Sequence, residues 1–146
     1  MFKSILRSLF GPPLPPHEPF QDALLGELLP GEIGWTVELN KADDSYSFSI
    51  GGDSHPSAPL LDHAREIFNN YESFKRIVKE CLEAETRDYP ADVKEEVSRL
   101  EIDDISLFWP DRPNDGMIFF RGPHDYIRAW RCDYIDRRPV GLGCDT

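Results

Sequence analysis

The sequence predicts an α+β fold: an antiparallel sheet, made of an N-terminal hairpin and a C-terminal meander, with one or two amphipathic helices packed on one face. Three observations carry this reading. Two strictly alternating runs flank a short polar connector between residues 35 and 50. An apolar stripe with helical spacing runs from Leu60 to Cys81. Beyond residue 105 the alternation returns in short runs separated by proline and glycine turns. At 146 residues one core needs no disulfide or metal, because folding at this size buries roughly 68–70% of the unfolded surface.

Residues 1–10 place Phe2, Ile5, Leu6, Leu9 and Phe10 at helical spacing, with Lys3, Ser4, Arg7 and Ser8 on the other side. This is a short amphipathic segment whose alternatives are an N-terminal turn packed on its own domain and weak peripheral contact with a membrane. Residues 11–19 carry five prolines, which exclude a helix or central strand and favour an extended spacer. The boundary is therefore set between a 1–19 extension and a globular α+β domain over 20–146. Phe20–Leu29 is compatible with a short helix or an edge strand. Trp35, Val37 and Leu39 then alternate with Thr36, Glu38 and Asn40. After Lys41 to Asp44, Tyr46, Phe48 and Ile50 alternate with Ser45, Ser47 and Ser49. Two period-2 runs around a short polar connector predict a β-hairpin with an aromatic face.

The helical region spans Pro59 to Arg87. Leu60, Ala64, Ile67, Tyr71, Phe74, Val78 and Cys81 recur every three or four residues, and Asn69-Asn70 offers a break into two helices. Pro90 opens a short helix over Ala91–Arg99. Ile105, Leu107 and Trp109 then alternate, Met117–Arg121 is a short apolar run, and Tyr126 to Tyr134 alternates again. The closing Pro139–Cys144 stretch reads as a last irregular strand.

Charge is distributed unevenly. Residues 18–115 hold 23 acidic against 9 basic side chains, a balance of −14, whereas both ends are slightly basic; the chain as a whole carries −11. Such a body repels phosphate backbones and attracts a basic protein, so no nucleic acid is expected as partner. No apolar run approaches the roughly 20 residues that span a bilayer. The three cysteines, Cys81, Cys132 and Cys144, form no CxxC motif, and reduced thiols in the cytoplasm are the expectation. A Cys132–Cys144 bridge would need an oxidising compartment.

No phosphate-binding loop, dinucleotide fingerprint or nucleophile elbow is present, and no cofactor is expected. Asp53, His55 and His63 are the candidate metal ligands, since imidazole and carboxylate suit zinc or a similar ion; their spacing matches no template, and the alternative is two loop residues and a helical histidine. A small metal-dependent hydrolase is the enzymatic reading they would serve. The partner-binding candidates are Glu95, Glu96, Glu101, Asp103 and Asp104, a dense acidic stretch, with Trp109 and Trp130 as aromatic anchors. Arg121, Arg128, Arg131, Arg137 and Arg138 lie among aromatics and read either as a binding surface or as internal partners of the acidic body.

The ending Arg128-Ala129-Trp130-Arg131-Cys132-Asp133-Tyr134, followed by Arg138-Pro139-Val140-Gly141-Leu142-Gly143-Cys144-Asp145, resembles that of small acidic bacterial proteins of unknown function. The Gly34–Ile50 hairpin followed by an amphipathic helix adds to this. Some of those proteins are similar to immunity proteins of contact-dependent or polymorphic toxin systems. The resemblance rests on packing and turn residues over 20–146 and carries over no site residue. It implies a bacterial protein-interaction domain that binds a basic toxin and turns nothing over.

Overall fold

Alternation in the first third of the chain builds four short strands: β1 (Phe20–Asp22), β2 (Gly26–Gly31), β3 (Gly34–Lys41) and β4 (Asp44–Ile50). Three helices follow, α1 (Ala58–Asn69), α2 (Tyr71–Glu85) and α3 (Ala91–Ser98). The chain then returns as β5 (Glu101–Leu107), β6 (Gly116–Arg121), β7 (Ala129–Ile135) and β8 (Arg138–Asp145). The computed structural model describes residues 18–41, 44–123 and 128–145. The amphipathic segment, most of the proline spacer, Asp43, His124 and Tyr126 lie outside the described residues.

The eight strands form one sheet in sequence order. Every neighbouring pair is antiparallel except β4 and β5, which run parallel with Phe48 opposite Ile105 and Ile50 opposite Leu107. A parallel pair requires a crossover, and the three helices supply it. Period-2 geometry then aligns one face into an apolar row, Val37–Phe48–Ile105–Ile118–Cys132, each residue the register partner of the next. All five are buried, Phe48, Ile105 and Ile118 completely. Each such side chain contributes about 1.5–3 kcal/mol through burial.

The helices cover that face. Pro59 sits in the first turn of α1, and Leu60, Leu61, His63, Ala64 and Ile67 point inward. Asn70 separates the first two helices: its backbone N–H closes on Glu66 and Ile67 carbonyls, both at 3.1 Å, and its side-chain amide donates to the Glu66 carbonyl at 3.0 Å. The break lets α2 turn across the sheet. Its Tyr71 ring stacks on Tyr46 of β4 at 4.0 Å, and Phe74 meets Tyr134 of β7 edge-on at 5.8 Å. Gly51 ends β4 where no side chain fits, since a Cβ would stand 2.2 Å from the Phe108 carbonyl oxygen.

Of the two readings of Phe20–Leu29 the edge strand holds, since β1 lies at one end of the sheet beside β2. Two expectations are corrected. There are three helices among the described residues rather than one or two. The 35–50 hairpin and the later strands are not separate units: the hairpin sits within four N-terminal strands, and β5 pairs with β4 to fuse both halves. That fusion depends on a long-range parallel pairing, which local periodicity does not encode. Among the described residues, no helix is long and apolar enough to cross a membrane.

Candidate functional site

The same alternation that builds the core face sets short polar residues on the opposite face, which no described helix covers. Two rows cross it by register. One runs Leu29–Thr36–Ser49–Ser106–Met117–Asp133–Val140; the other runs Glu38–Ser47–Asp104–Phe119–Arg131–Gly143. The centre is a patch of small hydroxyl side chains from β4 and β5. Around it stand exposed Glu38 and Asp133, and toward the sides exposed Leu29, Ile135 and Val140.

Asp104 lies in the middle of this patch and is only 4% exposed. Its carboxylate accepts hydrogen bonds from Ser47 Oγ at 2.5 Å and Ser49 Oγ at 3.0 Å on one oxygen, and from the Ser106 hydroxyl on the other. Among the described residues no cationic side chain pairs with it. Burial raises its pKa above the ordinary aspartate value, and the three hydroxyls only partly offset this. Asp22, in contrast, is buried but charge-matched. Burial raises it, yet Arg65 and the Leu24 and Leu25 N–H groups outweigh this and hold it below the ordinary value. Arg121, on the same face as Asp104, is engaged by Glu101 at 3.0 Å and Asp103 at 3.5 Å. Arg131 pairs with Asp145 at 2.7 Å.

The acidic candidates divide. Glu95, Glu101 and Asp103 are exposed, whereas Glu96, Asp104 and Trp130 are buried. Glu96 turns inward from α3 and accepts from Arg128 and from Trp130 Nε1, both at 2.5 Å. This triangle ties α3 to β7, so Glu96 and Trp130 are packing residues rather than an outward surface. Trp109 is half-buried with the Arg112 guanidinium 4.2 Å over its ring. Four of the five C-terminal arginines have acidic partners: Arg121, Arg128, Arg131 and, at 2.5 Å from Glu66, Arg137. The internal-pairing alternative therefore accounts for most of that cluster.

The proposed metal ligands do not converge. Asp53 and His55 are exposed in the loop after β4, and the His55 ring lies 6.2 Å from Phe20. His63 is buried on α1 with both nitrogens engaged. Nδ1 donates to the Pro113 carbonyl at 2.6 Å, and Nε2 accepts from the Tyr134 hydroxyl at 3.0 Å. Burial lowers its pKa, so it is neutral at pH 7. Among the described residues no group of three His, Cys, Asp or Glu side chains could hold a metal ion. The hydrolase reading loses its site. A cavity of about 170 Å³ beside His63, lined by Phe74, Ile77, Tyr134 and Arg137, holds no nucleophile–base pair: the Tyr134 hydroxyl there is pushed up to about 12 by burial.

All three thiols are free. Burial, with Cys81 beside it, pushes Cys132 up to about 12 and raises Cys81 as well, so both stay protonated packing groups. Cys144 is the register partner of Trp130, not of Cys132.

Ser47, Ser49 and Ser106 are the site residues that sequence reasoning missed. Their signal was present as Ser45-x-Ser47-x-Ser49 on β4 and Asp104-x-Ser106 on β5, short polar residues at alternate positions of two strands. Only the parallel pairing, with Ser47 opposite Asp104 and Ser49 opposite Ser106, makes one cluster of them. In comparisons with known protein families, curated proteins and solved structures, the chain matches none.

Proposed function

We propose that the chain is a bacterial, cytoplasmic protein-interaction domain that occludes a basic partner, in the manner of an immunity protein binding a basic toxin. The observation that carries this reading is the sheet face that no described helix covers. It sets acidic Glu38 and Asp133 and apolar Leu29, Ile135 and Val140 around a polar centre, the mixture that a protein interface uses. Bulk charge supports it too. Of the described carboxylates only Asp22, Glu96 and Asp104 are buried, and all the others but half-buried Asp44 and Asp115 are exposed. Mechanism is then electrostatic attraction followed by steric cover, with no turnover.

The test is capture of partners from the native bacterium on the tagged full-length protein, washed at low and at high salt. One basic protein released by salt, and lost on Glu38→Lys with Asp133→Lys, is the expected result. A partner whose association rate is the same at both salt concentrations, or whose capture ignores the double reversal, rules the mechanism out.

A further inference from the structure

We propose that Asp104 is the recognition point of the face that no described helix covers, a carboxylate held ready for a lysine or arginine side chain of the partner. The inference rests on the basic-partner reading and narrows it to one residue and one contact.

The argument begins with cost. A carboxylate taken out of water without a counter-charge is strongly unfavourable, and sheets rarely retain one at a central strand position where an apolar or hydroxyl side chain would serve. Elsewhere this molecule follows that rule. Buried Asp22 has Arg65 and buried Glu96 has Arg128. Asp104 is the buried acid left without a cation among the described residues, although Arg121 from the neighbouring strand is on the same face and is spent on Glu101 and Asp103. Three hydroxyls hold both carboxyl oxygens in place, which fixes orientation and supplies no positive charge. The group is preorganised and has no counter-charge among the described residues, the condition in which an incoming cation gains most.

The approach is over Ser47. Asp104, Ser49 and Ser106 are buried, whereas Ser47, the most exposed of the three hydroxyl residues, is half-buried and reaches Asp104 Oδ1 at 2.5 Å. An ammonium or guanidinium entering over Ser47 replaces hydroxyl donors with a charged one in a site already shielded from water. A small, central, desolvated contact ringed by weaker ones is how interfaces concentrate their energy.

The test uses uniformly ¹⁵N-labelled full-length protein titrated with a hexa-arginine peptide, with hexa-glutamate as control, followed by amide shifts. The expected result is saturable shifts centred on Ser47, Ser49, Asp104 and Ser106 with hexa-arginine only. Asp104→Asn is expected to weaken binding at least tenfold while its urea midpoint stays level or rises. A purely structural aspartate would give the opposite pairing, lower stability with binding intact, and that result overturns the proposal. Shifts confined to exposed acids of α2 and α3 overturn it too, yet leave the basic-partner reading standing. No shift anywhere removes both.

Discussion

The two faces of the sheet treat buried acids differently. On the helix-covered face Glu96 is matched by Arg128 and Trp130, and His63 is held by the Pro113 carbonyl and Tyr134, although the Tyr46 hydroxyl buried there finds no hydrogen-bond partner among the described residues. These groups lie around a continuous hydrocarbon row from Val37 to Cys132. On the other face, which no described helix covers, the central polar group, Asp104, is surrounded by hydroxyls and has no cationic partner among the described residues. The same strands supply both faces, because successive side chains alternate across the pleat. Stability is thus concentrated on one side, and the other is free to carry chemistry that stability alone would select against.

The largest contrast to probe is the core row. Phe48→Ala is expected to cost about 3–5 kcal/mol by urea denaturation, since the residue is fully buried. A loss under about 1 kcal/mol would mean that the helices do not seal that face. Next comes Glu96→Ala, which leaves the Trp130 N–H without its acceptor and is expected to cost about 1–3 kcal/mol. If the variant matches the wild type, the α3–β7 triangle contributes nothing.

Acid–base behaviour sharpens the comparison because the two faces titrate with opposite signs. His63 has a folded pKa below its ordinary 6.5. As pH falls below that value the unfolded chain takes up the proton first, and stability is lost toward the folded pKa. Asp104 has a folded pKa above its ordinary 3.8. Here the native state holds the proton longer, so stability declines as pH rises from 3.8 through the folded value. Denaturation midpoints against pH for His63→Gln and Asp104→Asn are expected to flatten the first and the second slope respectively. Unchanged profiles in both variants would remove the assignment. The smallest expected effect is Val140→Ser, at the edge of the face that no described helix covers, within about 0.5 kcal/mol; a larger loss by thermal melting would show that face to be structurally occupied.

Much of the fold was legible because it is local. The Trp35–Ile50 hairpin, the inward stripe of α1 and α2, the Asn69-Asn70 break and the short helix after Pro90 all follow from period and capping chemistry within a few residues. What escaped was long-range. Phe20–Leu29 is too short and mixed for periodicity to choose between helix and strand. Likewise, nothing near Ser47 announces that Asp104, 57 residues later, will lie beside it. The acidic stretch from Glu95 to Asp104 was visible as composition, but its division into outward Glu95, Glu101 and Asp103 and inward Glu96 and Asp104 is decided by which face each element buries.

The crossover between β4 and β5 has a consequence for how the molecule assembles. Strands one to four, and five to eight, each pair with sequence neighbours, so their contacts close short loops. The β4–β5 pairing alone must wait for residues 51–100 to fold back, a closure whose entropy is repaid only once the helices settle. Until then β4 and β5 are both open edges carrying apolar Phe48, Ile50, Ile105 and Leu107, the kind of edge that joins another chain. Refolding yield is therefore expected to fall as protein concentration rises; a yield independent of concentration would show that the seam closes before the strands on either side of it are formed.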